Sequence, residues 1–232
     1  ELELFKIFVN ICEKLELKYF LVCGSALGAV KYSGFIPWDD DLDVGLLRPD
    51  YEKFCENAWK FLPEHVFLQN YRSDSNFPLL MSKMRDKRTT FIEKPYRKIK
   101  MNHGVYIDIF PIDGYPKDAN QVRDFERKKV IFERRRVARI EYNRFSKKNI
   151  VHVKAIITYF LYKIFGCWKN TYKLFNEYEK LLQSFNCYES ELWCNHGNWQ
   201  GKLEYAPKWH YGKGTWATFE GIKVRMPEHF DE

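Results

Sequence analysis

Apolar residues near the N-terminus fall at Leu4, Phe5, Phe8, Cys12 and Leu15, a helical spacing that buries one face. Residues 19–23 form a short apolar run, predicted as a buried strand. Gly24-Ser25 then turns the chain, and residues 26–31 read as a short helix. Gly34-Phe35-Ile36-Pro37 reads as a loop and residues 42–46 as a second strand, after which Pro49-Asp50 opens a helix through Trp59. Residues 66–71, 79–84 and 89–93 are candidate strands, and 105–110 is a strand stopped by Pro111. The stretch 121–150 lacks Gly and Pro and carries a narrow apolar stripe, so it reads as a helix. A more apolar helix, 151–165, follows it, then a helix at 172–185. The last third is broken by Gly197, Gly201, Pro207, Gly212 and Gly214 and reads as irregular, with a hairpin around Glu220-Gly221. There is no internal repeat. A single α+β domain over residues 1–232, with a helical insertion at about 118–186, accounts for this order.

Composition changes that picture little. Apolar residues are 45% and charged residues 30%, a mix that excludes intrinsic disorder. No uncharged apolar run reaches the ~18 residues a membrane-crossing helix needs. The chain starts at Glu1 and reads as a piece of a longer one, truncated at its C-terminus. Its six cysteines, scattered without tight pairing, read as buried thiols of a cytoplasmic protein. Cys187, Cys194 and His196 are spaced too loosely for the usual zinc pattern.

Charge is informative because it is local. Residues 121–150 hold eleven Lys and Arg against Asp124, Glu126, Glu133 and Glu141, which equals the net charge of +7 for the whole chain. Two readings suit this basic segment. It is a solvated helix face, or it docks on anionic lipid at the inner membrane face or on a polyanionic acceptor. Aromatic and basic residues do not interleave as in nucleic-acid modules, so nucleic acid is not an expected partner.

The densest chemical signal is Trp38-Asp39-Asp40-Asp41-Leu42-Asp43-Val44. Four carboxylates in five residues repel one another unless something cationic sits among them. On a strand, Asp41 and Asp43 project to one face, roughly 7 Å apart, with Leu42 and Val44 on the other. Hard oxygen ligands of this type select Mg²⁺ or Mn²⁺, with phosphate oxygens completing the shell. Asp108, set between Ile107 and Ile109, is the candidate third carboxylate, because a lone acid in an apolar strand is costly without a partner. Gly24 and Ser25, between a strand and a helix N-terminus, read as a phosphate-binding turn. Asp40 caps the turn or faces solvent, and Asp113 belongs to a turn at Pro111–Gly114. Lys83 and Arg85 alternate on one strand face and read as a clamp on a diphosphate or as an exposed strand face. Trp38 stacks on a base, contacts a quaternary ammonium group, or packs.

The runs Gly24-Ser25-Ala26-Leu27-Gly28-Ala29-Val30, Gly34-Phe35-Ile36-Pro37-Trp38-Asp39-Asp40-Asp41-Leu42-Asp43-Val44 and Gly104-Val105-Tyr106-Ile107-Asp108-Ile109-Phe110-Pro111-Ile112-Asp113 closely resemble the LicD family. These are bacterial phosphocholine transferases related to fukutin and fukutin-related protein. The resemblance is dense to about Asp113, weak through the basic region, and resumes faintly at Phe219–Pro227. It implies a nucleotidyltransferase-like mixed sheet flanked by helices. It also implies transfer of a phosphoryl-alcohol, phosphocholine by default, from CDP-choline or another CDP-alcohol to a glycan or lipid-linked glycan hydroxyl, releasing CMP. By position, Asp41, Asp43 and Asp108 match the family's metal ligands and Gly24-Ser25 its phosphate-binding turn. Asp39 or Asp108 would take the hydroxyl proton. Two other classes fit parts of the pattern: a metal-dependent glycosyltransferase using a nucleotide-sugar, and a non-catalytic membrane-surface adaptor.

Overall fold

The computed structural model describes residues 1–144, 157, 160, 171–197 and 205–230. The predicted N-terminal helix is α1, Leu2–Lys14, and its stripe of Leu4, Phe5, Phe8, Ile11 and Cys12 is buried. Phe8 meets Tyr19 edge-on at 5.3 Å between ring centroids and Phe54 at 5.2 Å, so the stripe is what seats α1 on the sheet. Strand β1, Tyr19–Leu21, leads into α2, Cys23–Tyr32. The expected turn at Gly24-Ser25 is in fact the first turn of this helix. The left-handed backbone falls one residue earlier, on Cys23, with φ 52°.

Strand β2, Asp43–Leu47, is buried at every position, and α3, Arg48–Asn57, follows with Pro49 in its first turn. Strands β3, Val66–Gln69, and β4, Ser82–Asp86, start and end within a few residues of the pattern read from sequence. Residues 89–93 are not a strand. They form an irregular arm whose Phe91 N–H donates to the His103 carbonyl at 2.6 Å.

The central strand is β5, Val105–Tyr115, which does not stop at Pro111. The Asp108 N–H donates to the Leu42 carbonyl, so by strand alternation the nitrogen of Pro111 faces the opposite edge. There β4 pairs only as far as Ile109 and β6, Leu192–Asn195, begins at Ile112. A residue with no N–H costs nothing in that gap. Asp113 is likewise in the strand, not in a turn, and is 1% exposed.

Among the described residues, seven strands form one mixed sheet. Its order is β1-β2-β5-β4-β3, with β6 on the far half of β5 and β7, Tyr205–Pro207, on β6. Only β2 and β5 are parallel. Helix α4, Ala119–Arg144, begins the basic insertion and α5, Thr171–Leu182, returns from it. The predicted apolar helix at 151–165 lies outside the described residues apart from Ile157 and Phe160. The last third is more regular than its glycines suggest. It holds β6, β7, the short α6, Lys208–Tyr211, and a hairpin of β8, Thr215–Phe219, with β9, Ile222–Met226. The hairpin turns at Glu220 and Gly221, both with positive φ, as a two-residue turn requires. Its tip grips the 33–35 loop: Glu220 N–H donates to the Ser33 carbonyl, and Glu220 Oε1 accepts from the Phe35 N–H. That grip fixes the loop leading to the acid cluster. The fold is the α+β, nucleotidyltransferase-like mixed sheet flanked by helices.

Candidate active site

Asp43 opens β2 and stands in register with Asp108 on the parallel neighbour β5. Asp41 precedes the strand by two residues. One carboxylate oxygen from each of the three lies within 4.8 Å of the others, and Asp39, Asp40 and Asp41 form a second such group. Asp43 is 8% exposed and Asp108 7%. The Asp43 N–H donates to Ser25 Oγ at 2.8 Å and its carbonyl accepts from the Val22 N–H, so α2 and β2 fix its backbone on both sides. Asp43 Oδ1 is buried with no hydrogen-bond partner, which a buried carboxylate oxygen rarely tolerates.

The electrostatics follow from crowding. Burial, then the charges of Asp108 and Asp41, push the Asp43 carboxyl up to about 8. Burial, then Asp108 and Asp39, push Asp41 up to about 6. Burial raises Asp108 as well, while Lys83 pulls it back. Lys83 Nζ is 2.9 Å from Asp108 Oδ1, 3.2 Å from Glu93 Oε1, and 3.3 Å above the Tyr106 ring centroid. One ammonium cannot offset this many carboxylates. Three hard oxygen donors with an orphaned buried oxygen among them fit a divalent cation of the Mg²⁺ or Mn²⁺ type.

The acids open onto a cleft of about 610 Å³. Asp39 and Gly24 line it together, and the glycine is demanded by contact: a Cβ there would sit 2.5 Å from Asp39 Oδ2. Ser25 does not line the cleft; its hydroxyl is turned to the Asp43 amide. Lys83 lines it, Arg85 does not. The Arg85 guanidinium is fully buried, donating to Gln69 Oε1, the Gly104 carbonyl and Glu93 Oε2. Trp38 is 80% exposed, stands edge-on to Tyr32, and lies outside the cleft. Asp40 faces solvent, as expected.

Sequence reasoning missed a whole wall of this cleft, formed by Lys129, Glu133 and Arg136 of α4 with His196 just past β6. A faint signal existed. Lys129, Glu133 and Arg136 are four and three residues apart on a helix, so they share a face, while Arg127 and Lys128 point to solvent. Glu93 was hidden by the strand expected at 89–93. Among the described residues no metal-holding group includes Cys187, Cys194 or His196.

A lipopolysaccharide cholinephosphotransferase, LicD, of Haemophilus influenzae is 27% identical over 243 aligned positions, covering 97% of this chain and 82% of that protein. Uncharacterised proteins of Rickettsia prowazekii and Rickettsia typhi are each 44% identical over 41 residues, 18% of this chain. The LicD/FKTN/FKRP nucleotidyltransferase domain matches residues 16–152, which include the three carboxylates, Gly24, Asp39, Lys83 and the cleft-facing positions of α4. With more than half its length matched by that domain, this chain belongs to the LicD/FKTN/FKRP nucleotidyltransferase-domain family.

Proposed function

We propose that this enzyme transfers a phosphoryl-alcohol group from a CDP-alcohol to a hydroxyl of a cell-surface glycan or its lipid-linked precursor, releasing CMP. Phosphocholine is the first candidate for the transferred group, because the Haemophilus relative is named a lipopolysaccharide cholinephosphotransferase. The observation that carries the reading is the meeting of Asp41, Asp43 and Asp108 in the lining of the cleft, with Asp43 and Asp108 paired on two parallel strands and Asp41 two residues ahead of β2. These three would hold Mg²⁺ or Mn²⁺, which supplies charge neutralisation at the phosphate oxygens. Lys83 opposes the effect of burial on Asp108 and aims its carboxylate through contact with both oxygens, at 2.9 and 3.3 Å. Gly24 leaves room for the Asp39 carboxylate beside the backbone of α2.

Asp39 is the group suited to take the proton of the attacking hydroxyl. It lines the cleft outside the set of three, whereas Asp108 is committed to Lys83. Asp39→Asn is expected to lower kcat by about 10²- to 10⁴-fold while leaving KM for the donor and Mg²⁺ binding near normal. Equal loss of Mg²⁺ affinity would move Asp39 into the metal shell instead.

Calorimetry with CDP-choline, CDP-ribitol, CDP-glycerol and UDP-glucose, each with and without Mg²⁺, tests the reading as a whole. Metal-dependent binding of one CDP-alcohol is expected, with CMP as product. Binding of UDP-glucose alone would replace it with the glycosyltransferase reading. Binding of anionic vesicles with no nucleotide bound would leave only the adaptor.

A further inference from the structure

Most cations near the cleft are spent on the protein itself. Lys83 lies between Asp108 and Glu93, and Arg85 is enclosed by Gln69, Gly104 and Glu93. Arg136 gives Nε and Nη2 to Glu133 Oε2, at 3.0 and 2.8 Å, and Nη1 to the Pro78 carbonyl. Lys129 differs. It is 8% exposed, lines the cleft, and has its paired carboxylate oxygen, Glu126 Oε1, 3.9 Å away, beyond hydrogen-bond reach. Its Nζ does meet His196 Nδ1, at 3.3 Å.

That contact assigns the imidazole. An ammonium has three donors and no acceptor, so Nδ1 of His196 must accept. Cys194 Sγ reaches the same nitrogen at 3.3 Å, again suited to donating. Burial, then the nearby charges of Lys129 and Arg48, hold His196 neutral, well below the usual histidine range. The ring proton therefore sits on Nε2. Nε2 is buried with no hydrogen-bond partner, on a residue that lines the cleft and is 7% exposed. A positive donor and an N–H donor thus stand side by side, with donor capacity unfilled.

We propose that Lys129 and His196 form an oxyanion-binding pair for a substrate phosphate, Lys129 supplying charge and His196 Nε2–H the directed hydrogen bond. The proposal rests on the phosphoryl-transfer reading of the cleft and names how the phosphate is held apart from the acid triad. Two sources present that oxygen: the phosphate of the cytidine nucleotide, and a phosphate on a lipid-linked acceptor. In either case the pair places positive charge where the triad cannot. It also gives the buried positions of α4 a role that its solvent-facing lysines and arginines do not share.

The test is binding to full-length wild type, Lys129→Met, Lys129→Arg and His196→Gln in Mg²⁺, with folding checked by thermal unfolding. The probes are CDP-choline, CMP, cytidine, inorganic pyrophosphate and n-decyl diphosphate. Lys129→Met is expected to weaken phosphate-bearing probes by about tenfold or more and leave cytidine unchanged. Lys129→Arg and His196→Gln, which retain a donor near the same place, should recover part of the loss. Weakening of CMP and CDP-choline identifies the nucleotide as the source; weakening of n-decyl diphosphate alone identifies the acceptor. Binding of every probe by Lys129→Met as by wild type overturns the pair, and if CDP-choline still binds with Mg²⁺ the transfer reading stands without it. Lys129-dependent binding of pyrophosphate with no CDP-alcohol bound would keep the pair and sink the transfer reading. Should folded Lys129→Arg lose as much affinity as Lys129→Met, the site is one of packing and the pair is overturned.

Discussion

Replacing Asp43 with Asn is expected to cost turnover on the order of a thousandfold and to leave the metal-free protein folded at least as well as before. The first effect follows from position. Asp43 is the acid in register with Asp108, and its buried Oδ1 has no hydrogen-bond partner, whereas Asp108 Oδ1 has Lys83 Nζ 2.9 Å away. The second follows from linkage. An unfolded Asp titrates near 3.9, whereas burial and two neighbouring acids push Asp43 up to about 8 in the native chain. Between those values the native state holds a proton that the unfolded state has released. Stability without metal therefore falls as pH rises from about 4 to about 8, and Asp41, raised to about 6, adds to the lower part of that fall. Asn has no proton to lose, so its carboxyl's share of the decline disappears and the variant gains on wild type towards pH 8 and above. Mg²⁺ should act oppositely on the two proteins. It competes with protons for the same oxygens, so its stabilisation of wild type grows between pH 6 and pH 8 and is lost or sharply reduced in the variant. Thermal unfolding across that range, with and without Mg²⁺, reads both effects. Near-normal turnover, or an undiminished Mg²⁺ shift in the variant, would remove Asp43 from the metal site.

The elements that carry the triad were legible because they are short, apolar and locally consistent. The run at 42–46 and the run at 105–110 each place one acid among β-branched and aliphatic neighbours, and a buried strand is the cheapest home for such a pattern. The hairpin at Glu220-Gly221 was legible for a different reason, since a two-residue turn needs positive φ. What failed depended on partners that sequence does not show. Pro111 stays inside β5 because β5 changes neighbours on one edge there. Asp113 looked like a turn residue beside Pro111 and Gly114, but a buried arginine from α3 holds it in the strand. Residues 89–93 carry strand-forming side chains, yet the arm instead brings Glu93 to Lys83 and Arg85. The basic segment read as a surface because its charge is high; which of its lysines turn inward is decided by packing of α4 over the sheet, which composition cannot report.

Replacing Arg48 with Met is the substitution expected to cost the most stability, about 3–5 kcal/mol. Arg48 is 6% exposed and gives Nε and Nη2 to the two oxygens of Asp113, at 2.7 and 2.6 Å. Its Nη1 donates to Glu179 Oε1 at 2.9 Å. Glu179, on α5, also takes Arg72 and the Tyr71 hydroxyl on its other oxygen. Asp113 and Glu179 are 1% and 3% exposed, so losing the guanidinium leaves two buried carboxylates, of which only Glu179 keeps a cation, Arg72. Burial already raises the Asp113 carboxyl even with Arg48 lowering it. Without Arg48 it rises further, so the variant binds a proton more readily than wild type and its deficit should shrink as pH falls from 8 to 5. Lys should rescue little, because a single ammonium cannot span Asp113 bidentately and still reach Glu179. Urea unfolding at the two pH values checks all of this; a deficit under about 1 kcal/mol at pH 8, or one that does not narrow on acidification, would show that the network is not what anchors α5. The consequence reaches the chemistry. Asp113 lies on the same strand as Asp108, five residues on, and Arg48 directly follows the strand that begins at Asp43. The ion cluster therefore pins the far ends of the two strands whose near ends carry the metal-binding acids. Loosening it should lower Mg²⁺ affinity in a variant that touches no ligand.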